Sequence, residues 1–147
     1  MAQGAMRPDG PPVGRQLAAT AKAVSRAFNA ALADAGGSLP TWLVLSSLRD
    51  GRWRTQLELA RAVGIEGPTL TRHLDALEQA GLVERRRDPS DRRAVQVELT
   101  EAGERLHGTL LRAVIAFNRR LTAGLGEQEL RRLRQTLARL EQNVRAI

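Results

Sequence analysis

Residues 55–103 read TQLELARAVGIEGPTLTRHLDALEQAGLVERRRDPSDRRAVQVELTEAG, and this stretch decides the fold. Thr55-Gln56-Leu57-Glu58 has the form of a capping box, in which the Thr and Glu side chains satisfy free backbone N–H groups at a helix start. That helix ends at Gly64, and Leu57, Ala60 and Val63 are expected on its inner face. A second helix starts around Glu66, holds Pro68 in its first turn and runs to Ala80, with Gly81 just past its end. Leu82-Val83-Glu84-Arg85 then begins a strand, Asp88-Pro89-Ser90-Asp91 supplies turn residues, and Ala94 to Leu99 alternates apolar and polar. Helix, tight turn, helix and Arg-rich hairpin, in that order, is the layout of a winged helix-turn-helix. Such a fold sets one helix in a DNA major groove and a hairpin beside it.

Outward from this lobe the pattern is helical. Val13, Leu17, Ala21, Val24, Phe28 and Ala31 recur at three- and four-residue steps and predict a helix over about 13–35, stopped by Gly36-Gly37. Ser38 caps the next helix, with Pro40 in its first turn and Trp42, Leu43, Leu45 and Leu48 along it. Thr100 caps a long helix whose stripe is Leu106, Leu110, Ala113, Phe117 and Leu121. After Gly124 and Gly126, a last helix places Leu130, Leu133, Leu137, Leu140 and Val144 in a coiled-coil-like seam. The expected architecture is mainly α with a small β-hairpin wing. Residues 1–12 form a disordered tail and 13–147 a single domain; the winged lobe spans 38–100, and dimerisation helices span 13–35 and 101–147. The lobe is too small to cover all these stripes, so they pack on each other in a monomeric bundle or on a second subunit. Two-fold DNA sites favour the homodimer.

Composition removes several function classes. The 147 residues include no cysteine, which excludes a disulfide framework and a thiolate nucleophile. Two histidines, His73 and His107, do not make a multi-His metal cage, so no metal and no cofactor is expected. No apolar run reaches the roughly 18 residues of a membrane helix, and the Gly/Pro-rich start lacks the apolar segment of a secretion signal. A cytoplasmic location is the default. The net charge of +7 points to an anionic partner. Yet residues 50–100 hold nine Arg against nine Asp and Glu, so binding rests on where each Arg stands.

On a helical wheel with Leu70 at zero, Leu74 and Leu77 fall within about 40° of it and Arg72 falls near 200°, almost directly outward. Pro68 and Ala76 share the outward side and Thr69 flanks it. An outward Arg in the first turns suits bidentate bonding to guanine O6 and N7. Thr69 and Thr71 are short enough to reach a phosphate or a thymine methyl, and the helix N-terminus favours phosphate. The alternative for Arg72 is a solvated side chain paired with Asp75, three residues on. The hairpin sets Arg85, Arg86, Arg87, Arg92 and Arg93 against Asp88 and Asp91. This suits the negative potential of a narrow minor groove. Asp91 is close enough in sequence to brace Arg93 by a charged hydrogen bond. The alternative is a solvated charge run with internal ion pairs.

The motifs GIEGPTLTRHLDALEQAGLVER, DPSDRR and VQVELTEAG together resemble the MarR family of bacterial transcription regulators. The most specific part is Asp91-Arg92-Arg93 followed by Leu99-Thr100 and Gly103. The resemblance runs from about residue 13 to the end. It implies a triangular homodimer that binds double-stranded DNA at a short pseudo-palindromic operator, usually as a repressor. It implies that Arg72 reads the major groove and that Arg93 probes the minor groove with Asp91 as its brace; Pro68, Thr69, Thr71, Arg86 and Arg92 complete the DNA-binding set. It also implies release by a small aromatic or phenolic effector, held where the lobe meets the dimer helices by Phe28, Trp42, His107, Leu110 and Leu111. Trp42 and Phe28 have core packing as their other reading. Without cysteine the thiol-oxidation switch of the peroxide-sensing branch is excluded.

Two other functions remain in view. One is a winged-helix module for protein interaction or non-specific DNA packaging, which would more naturally carry diffuse Lys than a single outward Arg. The other is an enzyme. No nucleophile–base pair, metal-ligand cluster or Gly-rich phosphate loop stands out, and Gly64-Ile65-Glu66-Gly67 reads as a turn, so a non-enzymatic protein is expected.

Overall fold

The computed structural model describes residues 10–51, 54–87, 89–90 and 95–146. In chain order the elements are α1 (Val13–Asp34), α2 (Leu39–Asp50), β1 (Arg54–Thr55), α3 (Gln56–Val63), α4 (Gly67–Gln79), β2 (Val83–Arg87), β3 (Val95–Leu99), α5 (Glu101–Leu121) and α6 (Glu127–Arg145). The sheet is antiparallel in the order β1-β3-β2. The two long strands are the expected wing. The third, β1, pairs Arg54 with Val97 and Thr55 with Gln96. At two residues it has no alternation to detect, so only the fold reveals it.

Helix ends follow local chemistry. The Ser38 side chain accepts from the Thr41 N–H at 3.3 Å, and Thr55 Oγ1 accepts from the Glu58 N–H at 3.1 Å, the forward half of the expected capping box. Gly64 ends α3 at φ +73°, a left-handed conformation that glycine adopts without a Cβ penalty. The end of α4 is a Schellman motif: the Leu82 N–H donates to the Leu77 carbonyl and the Gly81 N–H to that of Glu78, both at 2.9 Å, with Gly81 at φ +73°.

Backbone packing divides the chain into two compact units, one ending at Val114 and one beginning at Ile115, so α5 contributes to both. The first holds the core: Leu32 of α1, Val44, Leu45 and Leu48 of α2, Leu59 of α3, Leu70, Leu74 and Leu77 of α4, Val83 and Val97 of the wing, and Leu110 of α5. This corrects two expectations. The inner face of α3 is centred on Leu59, fully buried, whereas Leu57 is 64% exposed. Residues two apart on a helix lie about 200° around it, so only one of the pair can face inward, and Leu59 is the one that shares a face with Val63. On α1 the buried residue is Leu32, not Ala31, one turn beyond Phe28. Toward its start α1 is uncovered, with Val13 and Leu17 exposed. In the second unit no described residue is buried, and Leu133, Leu137 and Val144 of α6 are exposed. Among the described residues no helix is long and apolar enough to cross a membrane.

One junction ties the lobe together. The Thr100 N–H donates to the Leu82 carbonyl at 3.1 Å, the Thr100 hydroxyl donates to the Gly81 carbonyl at 2.6 Å, and Thr100 Oγ1 accepts from the Gly103 N–H at 3.1 Å. A Cβ on Gly103 would overlap the Leu82 carbonyl oxygen, so glycine permits the start of α5 to meet the end of α4.

The two leucines of α3 should separate in a denaturation experiment. Leu59→Ala is expected to cost about 2–5 kcal/mol, as for a buried truncation. Leu57→Ala should stay within about 0.5 kcal/mol. Equal losses in urea midpoints would overturn the assignment of the inner face.

Candidate nucleic-acid interface

Burial of Leu70, Leu74 and Leu77 fixes the rotation of α4. Pro68, Thr69, Arg72 and Ala76 are therefore exposed together on its outer side. The first turn of α4 has no acidic residue, and its N-cap, Glu66, makes no side-chain cap. The Glu66 side chain thus leaves the first-turn N–H groups of Gly67 and Thr69 uncapped, Pro68 having none. Thr71 is placed differently. It is half-buried; its hydroxyl donates to the Gly67 carbonyl at 3.0 Å and accepts from Gln56 Nε2 at 3.5 Å, binding α4 to α3. His73 is half-buried at the edge of the core stripe.

The partner of Asp75 decides how Arg72 stands. Asp75 is engaged by Arg85 of β2, and among the described residues Arg72 has no ion-pair partner. The surface pairing of Arg72 with Asp75 is therefore not formed. A guanidinium fork with five donors stands on the outward face of a helix start.

The consecutive arginines of β2 are sorted by strand alternation. Arg85 shares a face with buried Val83 and turns back to α4, where it meets Asp75 and Glu78. Arg86 points the other way and pairs with Glu84 at 3.2 Å; both are well exposed. Arg87 is exposed. Asp91, Arg92 and Arg93 lie outside the described residues. The inward role of Arg85 was missed in the sequence, where it counted with the wing cluster. The available signal was its two-residue spacing from Val83.

Of the five residues expected around an effector, the structure brings Trp42 and His107 into direct contact. Their rings stack with centroids 5.3 Å apart and planes 12° from parallel. Phe28 and Trp42 are half-buried and pack against the core, Leu110 is fully buried in it, and Leu111, about 100° further round α5, is exposed. Burial, and then the nearby charge of Arg49, disfavour the imidazolium of His107; Asp50 and Glu104 oppose them, and the net effect lowers its pKa below the ordinary 6.5. Among the described residues no group of three or more His, Cys, Asp or Glu is placed to hold a metal ion.

Fold and exposed helix face together define a winged-helix transcription regulator. A sequence model of the MarR family matches residues 38–95. The transcriptional repressor CouR, bound to a 23-mer DNA duplex, has 31% identity and a TM-score of 0.79, over 88% of this chain and 92% of that one. A mutant MarR from E. coli complexed with operator DNA has 29% identity and a TM-score of 0.77, over 88% of this chain and 93% of that one. BpsR from Bordetella bronchiseptica, whose DNA binding is regulated by 6-hydroxynicotinic acid, has the same fold at 23% identity and a TM-score of 0.74, over 88% and 98% of the two chains. The chain belongs to the MarR family.

The lowered pKa of His107 has a definite sign. Unfolded imidazole takes its proton at higher pH than the folded one, so stability is complete above about pH 6.5 and declines as pH falls toward the lower folded pKa. His107→Gln removes the titrating group, and the decline in urea midpoint between about pH 7 and pH 5 should become shallower. An identical pH profile would show that the Trp42–His107 stack does not set this dependence.

Proposed function

We propose that this protein is a sequence-specific, non-enzymatic DNA-binding repressor that acts as a cytoplasmic homodimer on a pseudo-palindromic operator. One observation carries the reading: Arg72 stands on the outward face of α4 with no ion-pair partner among the described residues, while Asp75 is engaged by Arg85. In this role Arg72 bonds a guanine edge, and Pro68 and Thr69 lie against the duplex beside it. The open N-terminus of α4 takes a phosphate. Thr71 acts indirectly, by holding α4 on α3. Arg86 and Arg92 meet the backbone beside the wing, and Arg93, braced by Asp91, enters the minor groove. The CouR and MarR relatives bound to DNA support this use of the fold.

The homodimer is supported by the uncovered leucines of α1 and α6, which the described chain leaves in water. Release by a small aromatic or phenolic effector is supported by the Trp42–His107 stack, which brings two of the five expected residues side by side.

A gel shift tests the reading of DNA, with the inverted repeat sought upstream of the gene and a random duplex as control. Arg72→Ala should cost about 1–3 kcal/mol on the specific duplex, the usual worth of a bidentate base contact, and should narrow the specific-to-random ratio. An unchanged ratio would leave Arg72 a mere surface residue. If the parent protein binds both duplexes equally, it is a general DNA-packaging module.

Assembly is tested by sedimentation at micromolar concentration. The parent should run as a dimer, and Leu137→Arg should shift it toward monomer by placing a charge in an apolar seam. A parent that sediments as a 16.1 kDa monomer would overturn the assembly.

A further inference from the structure

We infer that Arg85 is a positioning residue that locks the wing to the reading helix, and that Asp75 and Glu78 are its sockets. The inference rests on the DNA-binding reading above. Asp75 and Glu78 are three residues apart on α4 and so share one face. Arg85 is the middle residue of β2, its Cα paired with that of buried Val97. Its side chain is only 19% exposed. The guanidinium forms an ion pair with Asp75, and its Nε lies 3.6 Å from Glu78 Oε2. The Arg85 backbone N–H donates to that same oxygen at 3.1 Å. Side chain and main chain of one residue are thus held by carboxylates on successive turns of α4.

Two carboxylates for one guanidinium leave Arg85 no charge to offer a phosphate. What the clamp supplies is angle. Arg72 lies one turn before Asp75 on α4, and the wing continues from Arg87, two residues after Arg85. A duplex must be met by helix and wing at once, and such sites work only when held within about half an ångström. The Schellman turn fixes where β2 leaves α4. The Arg85 clamp fixes the direction in which it leaves. It also keeps Asp75 away from Arg72, so one ion pair serves both parts of the interface.

The test uses the full chain and the variants Arg85→Met, Asp75→Asn and the double substitution. Each single change should lower affinity for the specific duplex about tenfold and leave random-duplex affinity unchanged. The double variant should equal Arg85→Met alone, because without Arg85 the Asp75 carboxylate has no part of the clamp left to lose. The salt slope should stay constant, whereas loss of a phosphate contact would lower it by about one unit. Additive losses, or a lower slope for Arg85→Met, would overturn the clamp. So would tighter binding of both duplexes by Asp75→Asn, since that marks Arg85 as a masked phosphate binder.

A second measurement needs no DNA. The chain has no cysteine, so Gln79→Cys and Ser90→Cys place two nitroxide labels, on α4 and in the wing. Diluted with unlabelled protein, the parent should give one narrow label-to-label distance, and Arg85→Met a broad one. Asp75→Asn should broaden it too, and serves if the Met variant does not fold. A distribution unchanged in both overturns the clamp even if DNA binding is as proposed. Broadening upholds the clamp even if the parent shows no specific DNA binding.

Discussion

The geometry of the lobe depends on the close approach of Gly103 to the Leu82 carbonyl. Within that contact the end of α4, the start of β2, the end of β3 and the start of α5 share four backbone or hydroxyl hydrogen bonds. The Leu82 peptide both closes the Schellman turn through its N–H and receives Thr100 through its carbonyl. Backbone groups at element ends need partners, and here the Thr100 N–H and hydroxyl supply two of these bonds across elements, to the carbonyls of Leu82 and Gly81. A helix proposed to read DNA, as α4 is, needs its far end held, because an error in angle grows with distance from the pivot. This junction is that pivot.

Residues close in sequence were the legible ones. The face of α4 follows from Leu70, Leu74 and Leu77, because a thirteen-residue helix gives the period room to show. The turn at Gly64 and the end at Gly81 follow because glycine marks a left-handed backbone. The eight residues of α3 are different. Two turns hold Leu57 and Leu59 on opposite sides, and only the packing of α2 and α4 selects between them. β1 is set by its pairing with β3, a partner some forty residues away, and has no local signature.

The interface shows the same division. Arg72 could be placed outward by periodicity, but whether Asp75 paired with it depended on where Asp75 turned, and that is a tertiary fact. Arg85, Arg86 and Arg87 look alike in the chain. The strand pleat and the two carboxylates of α4 give them unlike surroundings. In a nearly balanced stretch of charge, pairing decides what is available to a partner and composition does not.

The engagement of Asp75 by Arg85 also bears on how quickly a site can be found. A basic side chain that must first abandon an internal carboxylate meets a barrier at every contact with a duplex. Arg72 has no such contact to break among the described residues. In the proposed role it sheds only water and rotamer freedom on meeting a duplex. Encounter along non-specific DNA is then limited by diffusion and by the charge field, as in electrostatically steered association. In the proposed role, discrimination falls to the dwell time, set after arrival by whether the fork finds a guanine. In that role the ion pair of Arg85 with Asp75 separates the speed of search from the duration of binding.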